Sequence, residues 1–137
     1  MIVLDTNVLS EPMRRDPEKR VVAWLDSQVD DLRVTAVSVG ELLVGVRALP
    51  PGKRRDQLMA SVERILLAYR DQVLDYDADA AHAYAEFQET SRSSGRALSV
   101  EDGMIAAICH TRKARLATRN TKDFEGLGID VVNPWEG

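Results

Sequence analysis

The chain has a single cysteine, Cys109, among 137 residues. One cysteine excludes an internal disulfide and any thiolate zinc cluster. Its neighbours Ile105-Ala106-Ala107-Ile108 are apolar, so it is expected to be a small core residue. There are only two histidines, His82 and His110, both inside helical patterns and expected to be partly exposed. No stretch approaches the roughly 20 apolar residues of a membrane span. Met1 leads straight into a strand, with no charged segment followed by an apolar one. The expectation is a cytoplasmic protein with no membrane partner. An excess of positive charge is also missing: 18 basic residues face 22 acidic ones, for a net charge of −4. Alone, that argues weakly against a nucleic-acid partner. The distribution counters it, because basic residues cluster at Arg14-Arg15, Lys19-Arg20, Lys53-Arg54-Arg55, Arg112-Lys113 with Arg115, and Arg119 with Lys122. Such patches bind phosphates while net charge stays negative, although most charge clusters are simply solvated helix faces.

What is present fits one soluble domain over residues 1–137, with 45% hydrophobic and 29% charged residues. There is no internal repeat and no low-complexity tract. Ile2-Val3-Leu4 reads as a strand buried on both faces, as in a parallel sheet. Val8 to Met13 suits a short helix. Asp16-Pro17 reads as an N-cap and first helical residue, with Val21, Val22, Leu25 and Val29 continuing the apolar face. Leu32 to Thr35 is a second strand, followed by a helix over Ala36 to Ala48 that Leu49-Pro50-Pro51-Gly52 ends. A helix follows from Lys53 to Tyr69, then a brief strand at Val73-Leu74. Asp77 or Asp79 caps a helix reaching Ser94, which Gly95 stops. Ser99 opens a helix to Lys113; Arg115 to Thr118 and Ile129 to Val132 are strands, and Asn120 to Leu127 is a loop or short helix. Short strands alternating with helices imply an α/β fold of three layers, a short parallel sheet of about five strands flanked by helices. The two long helices, Lys53–Tyr69 and the one reaching Ser94, are expected to supply a hairpin standing off the sheet.

Asp5 follows the first strand, at the edge where open α/β sheets bind ligands. It either hydrogen-bonds the Thr6-Asn7 turn or serves as a metal ligand or catalytic carboxylate. Glu41 falls in the stripe Val37, Glu41, Val44, Ala48. A buried glutamate there requires a cation or a proton; a rotated helix would instead place it at the rim beside an arginine. Asp102 lies three residues after Ser99, so a capping-box role competes with ligation. Thr118 ends a strand as Asp5 does, and beyond it Asn120 or Asp123 offers an oxygen ligand and Arg119 or Lys122 a phosphate contact. With no histidine or cysteine among them, these acids select hard cations, Mg²⁺ or Mn²⁺.

Four blocks carry a resemblance: Met1-Ile2-Val3-Leu4-Asp5-Thr6-Asn7-Val8-Leu9-Ser10-Glu11-Pro12, Ser38-Val39-Gly40-Glu41-Leu42 with Gly45, Glu101-Asp102-Gly103-Met104-Ile105-Ala106-Ala107, and Thr118-Arg119-Asn120-Thr121 with Asp123-Phe124. In this order they resemble the PIN-domain ribonucleases, and more narrowly the VapC- and FitB-like toxins of type II toxin–antitoxin pairs. Val132-Asn133-Pro134-Trp135 fits the FitB-like branch. The resemblance implies the PIN-like fold and an Mg²⁺-dependent endoribonuclease with catalytic acids Asp5, Glu41 and Asp102. Asp5 and Asp102 would hold the metal, Glu41 would act through water or position the attacking water, and Thr6, Asn7, Thr118 and Asn120 would support them. The family often has a fourth acid in the Thr-Arg-Asn stretch; its equivalent here is Asn120, with Asp123 three residues on. The resemblance also implies an RNA substrate, a small antitoxin, assembly on operator DNA through that antitoxin, and a homodimer. Apolar faces at Val21, Trp24, Leu25 and at Leu58, Val62, Ile65 point the same way. Two other readings compete: a non-catalytic module that binds RNA or a partner, and a phosphotransferase using an aspartyl phosphate at Asp5. The latter chemistry usually has a second aspartate two residues on, where Asn7 stands.

Overall fold

The computed structural model describes residues 1–136. Five short strands form one parallel sheet: β1 (Ile2–Leu4), β2 (Leu32–Thr35), β3 (Val73–Leu74), β4 (Arg115–Ala117) and β5 (Val131–Val132). Their order is β3-β2-β1-β4-β5. β1 is therefore central, with Ile2 opposite Leu32 on one side and Arg115 on the other. The order reverses between β1 and β4, and the crevice at the carboxyl ends of those two strands is where such sheets bind ligands.

Six helices cover the sheet: α1 (Thr6–Ser10), α2 (Lys19–Ser27), α3 (Ala36–Arg47), α4 (Lys53–Ala68), α5 (Ala78–Ser93) and α6 (Val100–Arg112). Side chains alternate along a strand, so β1 feeds two cores. Ile2 and Leu4 join Val8, Val21, Leu42, Val46, Val62 and Trp135 on one face. Val3 joins Ala83, Phe87, Ile105, Ile108 and Leu116 on the other. Cys109 is fully buried in this second core, as its neighbours imply.

Caps start the helices where the sequence places them. Asp77 Oδ1 accepts from the Ala80 N–H at 2.9 Å, so Asp77 rather than Asp79 caps α5. Ser99 Oγ accepts from the Asp102 N–H at 3.1 Å.

Several expectations are corrected. α2 begins at Lys19 with Glu18 as its N-cap, not at Pro17. Val29 lies beyond that helix and is 99% exposed, so it belongs to no apolar face. α4 and α5 do not pair with each other: α4 packs on α3 and α5 on α6, with β3 between them in the chain. β5 begins at Val131, two residues later than expected. The faces at Val21, Trp24, Leu25 and at Leu58, Val62, Ile65 pack into the protein's own core, so they give no independent argument for a dimer. Among the described residues no helix is long and apolar enough to cross a membrane.

Candidate active site

Asp5 follows directly on β1, and its N–H donates to the Ala117 carbonyl at 2.9 Å, continuing the pairing with β4. The chain then turns into α1 with Asp5 as the N-cap. Its carboxylate is 4% exposed. Oδ1 accepts from the Thr6 N–H at 2.8 Å and Oδ2 from the Thr118 hydroxyl at 2.7 Å. Asn7 Nδ2 stands at 3.5 Å, the limit of a hydrogen bond. The local turn reading and the ligand reading are compatible, because Oδ1, with one donor, keeps an unused lone pair.

Thr118 is fully buried, and its hydroxyl has a fixed direction: it accepts from the Asn120 N–H at 3.1 Å and so gives its one proton to Asp5. Asn120 therefore enters the site through its main chain. Its carbonyl accepts from the Asp123 N–H at 3.0 Å, closing a 3₁₀ turn over Thr121–Phe124.

Glu41 is not in an apolar interior. The core stripe of α3 is Ser38, Leu42 and Val46, one residue (about 100° of rotation) from the expected stripe. Val44 is 69% exposed and Glu41 half-buried, in an open groove with Val37, Gly40 and Met104. The rim position is correct, but the partner is not an arginine. The Thr6 hydroxyl donates to Glu41 Oε1 at 2.7 Å and lies 2.8 Å from Ser38 Oγ. Having one proton, it accepts from Ser38. Ser38 is a supporting residue that periodicity missed. The available signal was a polar side chain three residues after Thr35, which caps α3 by accepting from the Ser38 N–H at 3.1 Å.

Asp102 sits half-buried in the first turn of α6. The helix cap uses its main-chain N–H. Its carboxyl pKa is pushed up to about 6, first by burial, then by the negative charges of Asp5, Asp123 and Glu41. Asp5 is likewise raised, chiefly by burial, against the lowering effect of the Thr118 and Thr6 hydrogen bonds, with Asp123 adding to the rise. Asp123, though exposed, is thus the further acid whose charge reaches Asp102 and Asp5, and the Asn120 carbonyl sets its turn. Arg119 and Lys122 are both exposed beside it. The Arg119 N–H donates to Asn7 Oδ1 at 3.3 Å, and its guanidinium lies 5.1 Å from the Trp135 ring centre. Asn133 Nδ2 donates to the Arg119 carbonyl at 3.4 Å. Asn133 and Trp135 therefore anchor this loop, a role that sequence spacing did not reveal.

The charges of Asp5, Asp123 and Glu41 reach Asp102, and that of Asp123 reaches Asp5, without the four forming a closed cage. Among the described residues, no three Asp, Glu, His or Cys side chains stand close enough to hold a metal ion. Like charges repel, and separate hydroxyl donors hold Asp5 and Glu41: Thr118 for the first and Thr6 for the second. The donor set is all oxygen, which suits Mg²⁺ or Mn²⁺. The neighbouring thiol offers nothing, because burial, and then Asp5, pushes Cys109 up to about 12. His82 and His110 lie on exposed positions of α5 and α6.

The family model described as "PIN domain" matches residues 2–129. This chain belongs to the PIN-domain family. The PIN domain is 41% identical to VapC ribonuclease Y4jK of Sinorhizobium fredii, over 99% of each chain. It is 39% identical to Toxin FitB of Neisseria gonorrhoeae, over 98% of this chain and 99% of that one. The solved structure of FitAcB from N. gonorrhoeae superposes with a TM-score of 0.92 at 39% identity, covering 100% of both chains. The parallel sheet and its flanking helices are therefore the PIN architecture, with Asp5 at its central crevice.

Proposed function

We propose that this PIN domain is the toxin half of a toxin–antitoxin pair and acts as an Mg²⁺-dependent endoribonuclease, with Mn²⁺ able to substitute. The observation that carries the reading is buried Asp5 at the sheet's switch point with further acids within reach of its charge: burial, and then the charges of Asp5, Asp123 and Glu41, raise Asp102, and burial, with Asp123 adding, raises Asp5. Structural ion pairs would have met those charges with lysine or arginine; among the described residues no salt bridge reaches any of the four. The relatives named as a ribonuclease and a toxin support the reaction class.

Asp5 and Asp102 would hold the cation, Glu41 would act through water, and Asp123 would be the candidate fourth oxygen donor. A bound Mg²⁺ supplies positive charge against the phosphodiester and makes water more acidic. The chain's own groups do the rest. Thr118 and the Thr6 N–H fix both oxygens of Asp5. The Thr6 hydroxyl occupies Glu41 Oε1, which leaves Oε2 as the acceptor for a proton of the attacking water. Arg119 and Lys122, both exposed near Asp123, would contact a phosphate of the RNA. The domain would act as a homodimer, and a small antitoxin would mask the acids and carry the pair to operator DNA.

The test is cleavage of a structured RNA by the purified protein. Activity is expected with Mg²⁺ or Mn²⁺, lost in EDTA, and lost in Asp5→Asn with metal present. Full activity in chelator would overturn the mechanism. RNA binding without any cleavage under all metals would favour a sequestering module.

A further inference from the structure

Two basic clusters far apart in the sequence, Arg14-Arg15 and Lys53-Arg54-Arg55, play no part in the carboxylate site. The fold brings them to one cleft. A volume of about 900 Å³ opens between the chain after α1 and the first half of α4, lined by the polar side chains of Ser10, Arg14, Arg15, Arg54, Gln57 and Ser61, with the apolar Met13 and Leu58 among them. Arg54, Gln57 and Ser61 share one face of α4, since they recur at helical spacing. We propose that this cleft binds the sugar–phosphate backbone of the RNA substrate outside the scissile bond. The inference rests on the ribonuclease reading given above.

Three observations support it. First, the charge is available. Among the described residues, Arg15 and Arg54 have no carboxylate within 4 Å, whereas Arg14 pairs with Glu11 at 3.2 Å. Asp16 is the single acid on the wall, against three arginines. Second, the arginine wall is built rather than loose. Glu11 is 3% exposed and takes no part in the chemistry. Its Oε2 accepts from the Glu18 N–H at 2.9 Å and from Arg14, so one buried carboxylate pins both ends of the segment that carries Arg14 and Arg15. Third, the distance suits a nucleic-acid strand. The cleft begins at Ser10, the last residue of α1, and Asp5 caps the first turn of the same helix. Five residues at ~1.5 Å rise span about 7.5 Å. That is a short enough reach for one strand to pass from Asp5 into the cleft. Hydroxyl and amide groups between guanidinium groups contact sugar and phosphate without reading base identity. The cleft would therefore give affinity and register, not sequence preference.

The experiment compares Arg15→Gln/Arg54→Gln with a control that removes the same charge elsewhere, Arg70→Gln/Arg112→Gln. Both are made in the Asp5→Asn protein so that the RNA stays intact. The probe is a fluorescein-labelled single-stranded RNA of about 12 nucleotides, with binding read by anisotropy across a salt series. The cleft variant is expected to bind several-fold more weakly. Its log–log salt slope should fall by about 0.7 for each phosphate that is no longer neutralised, so by about 1.4 for both arginines. The control pair should leave the slope unchanged. Equal slopes for cleft variant, control and parent would overturn the proposal. So would unchanged RNA binding with loss of binding to a protein partner, which would assign the cleft to that partner. Because binding is read without cleavage, a protein that binds RNA through the cleft yet never cuts it would sink the ribonuclease reading and leave the cleft standing.

Discussion

Thr118 Oγ1 lies 2.7 Å from Asp5 Oδ2, although 113 residues separate the two in the chain. The contact joins the ends of β1 and β4, the two strands on either side of the switch point. It fixes the orientation of the most buried acid in the site. Thr118→Val keeps the shape and removes the donor. Supporting contacts of this kind are worth about 10–100-fold in metal affinity or activity. The Mg²⁺ concentration for half-maximal cleavage is expected to rise within that range. The Asn120 N–H would also lose its acceptor, at about 1–3 kcal/mol of stability. A metal titration beside thermal unfolding checks both, and Thr118→Ser should retain most of each. An unaltered Mg²⁺ requirement in the valine variant would show that Asp5 needs no such support.

Asp102 sets a pH dependence with a definite sign. Its folded pKa is about 6, above the ordinary 3.8. Above pH 6 the carboxylate is charged in folded and unfolded chains alike, and the folded site bears its burial and repulsion. As pH falls from 6 toward 3.8, the folded chain takes up the proton first, so this group's destabilisation disappears. In EDTA, Asp102→Asn is therefore expected to melt above wild type at pH about 7.5, with the gap closing as pH falls through that window. The variant should also lose cleavage and gain less Tm from Mg²⁺ than wild type does. If Asp102 were only a cap, activity would remain and stability would be unchanged or fall by about 1 kcal/mol.

Gly103 follows Asp102 on the side of α6 that meets α5. A Cβ built there would stand 2.9 Å from Tyr84 Cε1 and 3.1 Å from Cδ1. The Tyr84 ring is itself packed edge-on against Tyr76, which limits how far it can give. Gly103→Ala is expected to destabilise by about 1–3 kcal/mol through overpacking. It should also lower cleavage by displacing the turn that carries Asp102. Combining it with Tyr84→Leu relieves the crowding, so the double variant should be more stable than the sum of the two singles. Additive losses in a thermal-unfolding cycle would place the damage elsewhere.

Trp135 closes the first core and supports the Arg119 loop from beneath. Trp135→Ala is expected to lose about 3–5 kcal/mol through the cavity it leaves. Arg119→Gln removes a cation–π contact at an exposed position, worth about 0.5–1 kcal/mol, while weakening RNA binding. The two effects separate by method: urea unfolding should report the tryptophan, and RNA affinity the arginine. An arginine variant that binds RNA as wild type does would remove Arg119 from the substrate path.

The sequence is most informative where a few neighbouring residues decide the outcome. The unbroken Ile2-Val3-Leu4 run is buried at every position, as a central parallel strand requires. Asp77 and Ser99 cap the helices that follow them, because a cap is a contact across three residues. Asp5 falls at the carboxyl end of β1 on local grounds alone. The rotation of α3 is not local. Periodicity favours Glu41 in a buried stripe, yet Ser38 lies inside and Val44 outside. A buried serine is tolerated there because Thr6 and Thr35, from two other elements, meet its hydroxyl. The 3₁₀ turn over Thr121–Phe124 is likewise not local in its effect: it makes Asn120 a main-chain prop and brings the charge of Asp123 to bear on Asp5 and Asp102. The basic cleft, too, exists only because α4 folds back against the chain after α1. Propensity and capping act over one helical turn, whereas strand order and helix docking bring together groups tens of residues apart. The chemistry of this PIN domain is therefore written in its residue types, but the partners of those residues are chosen by the packing of the sheet's two faces.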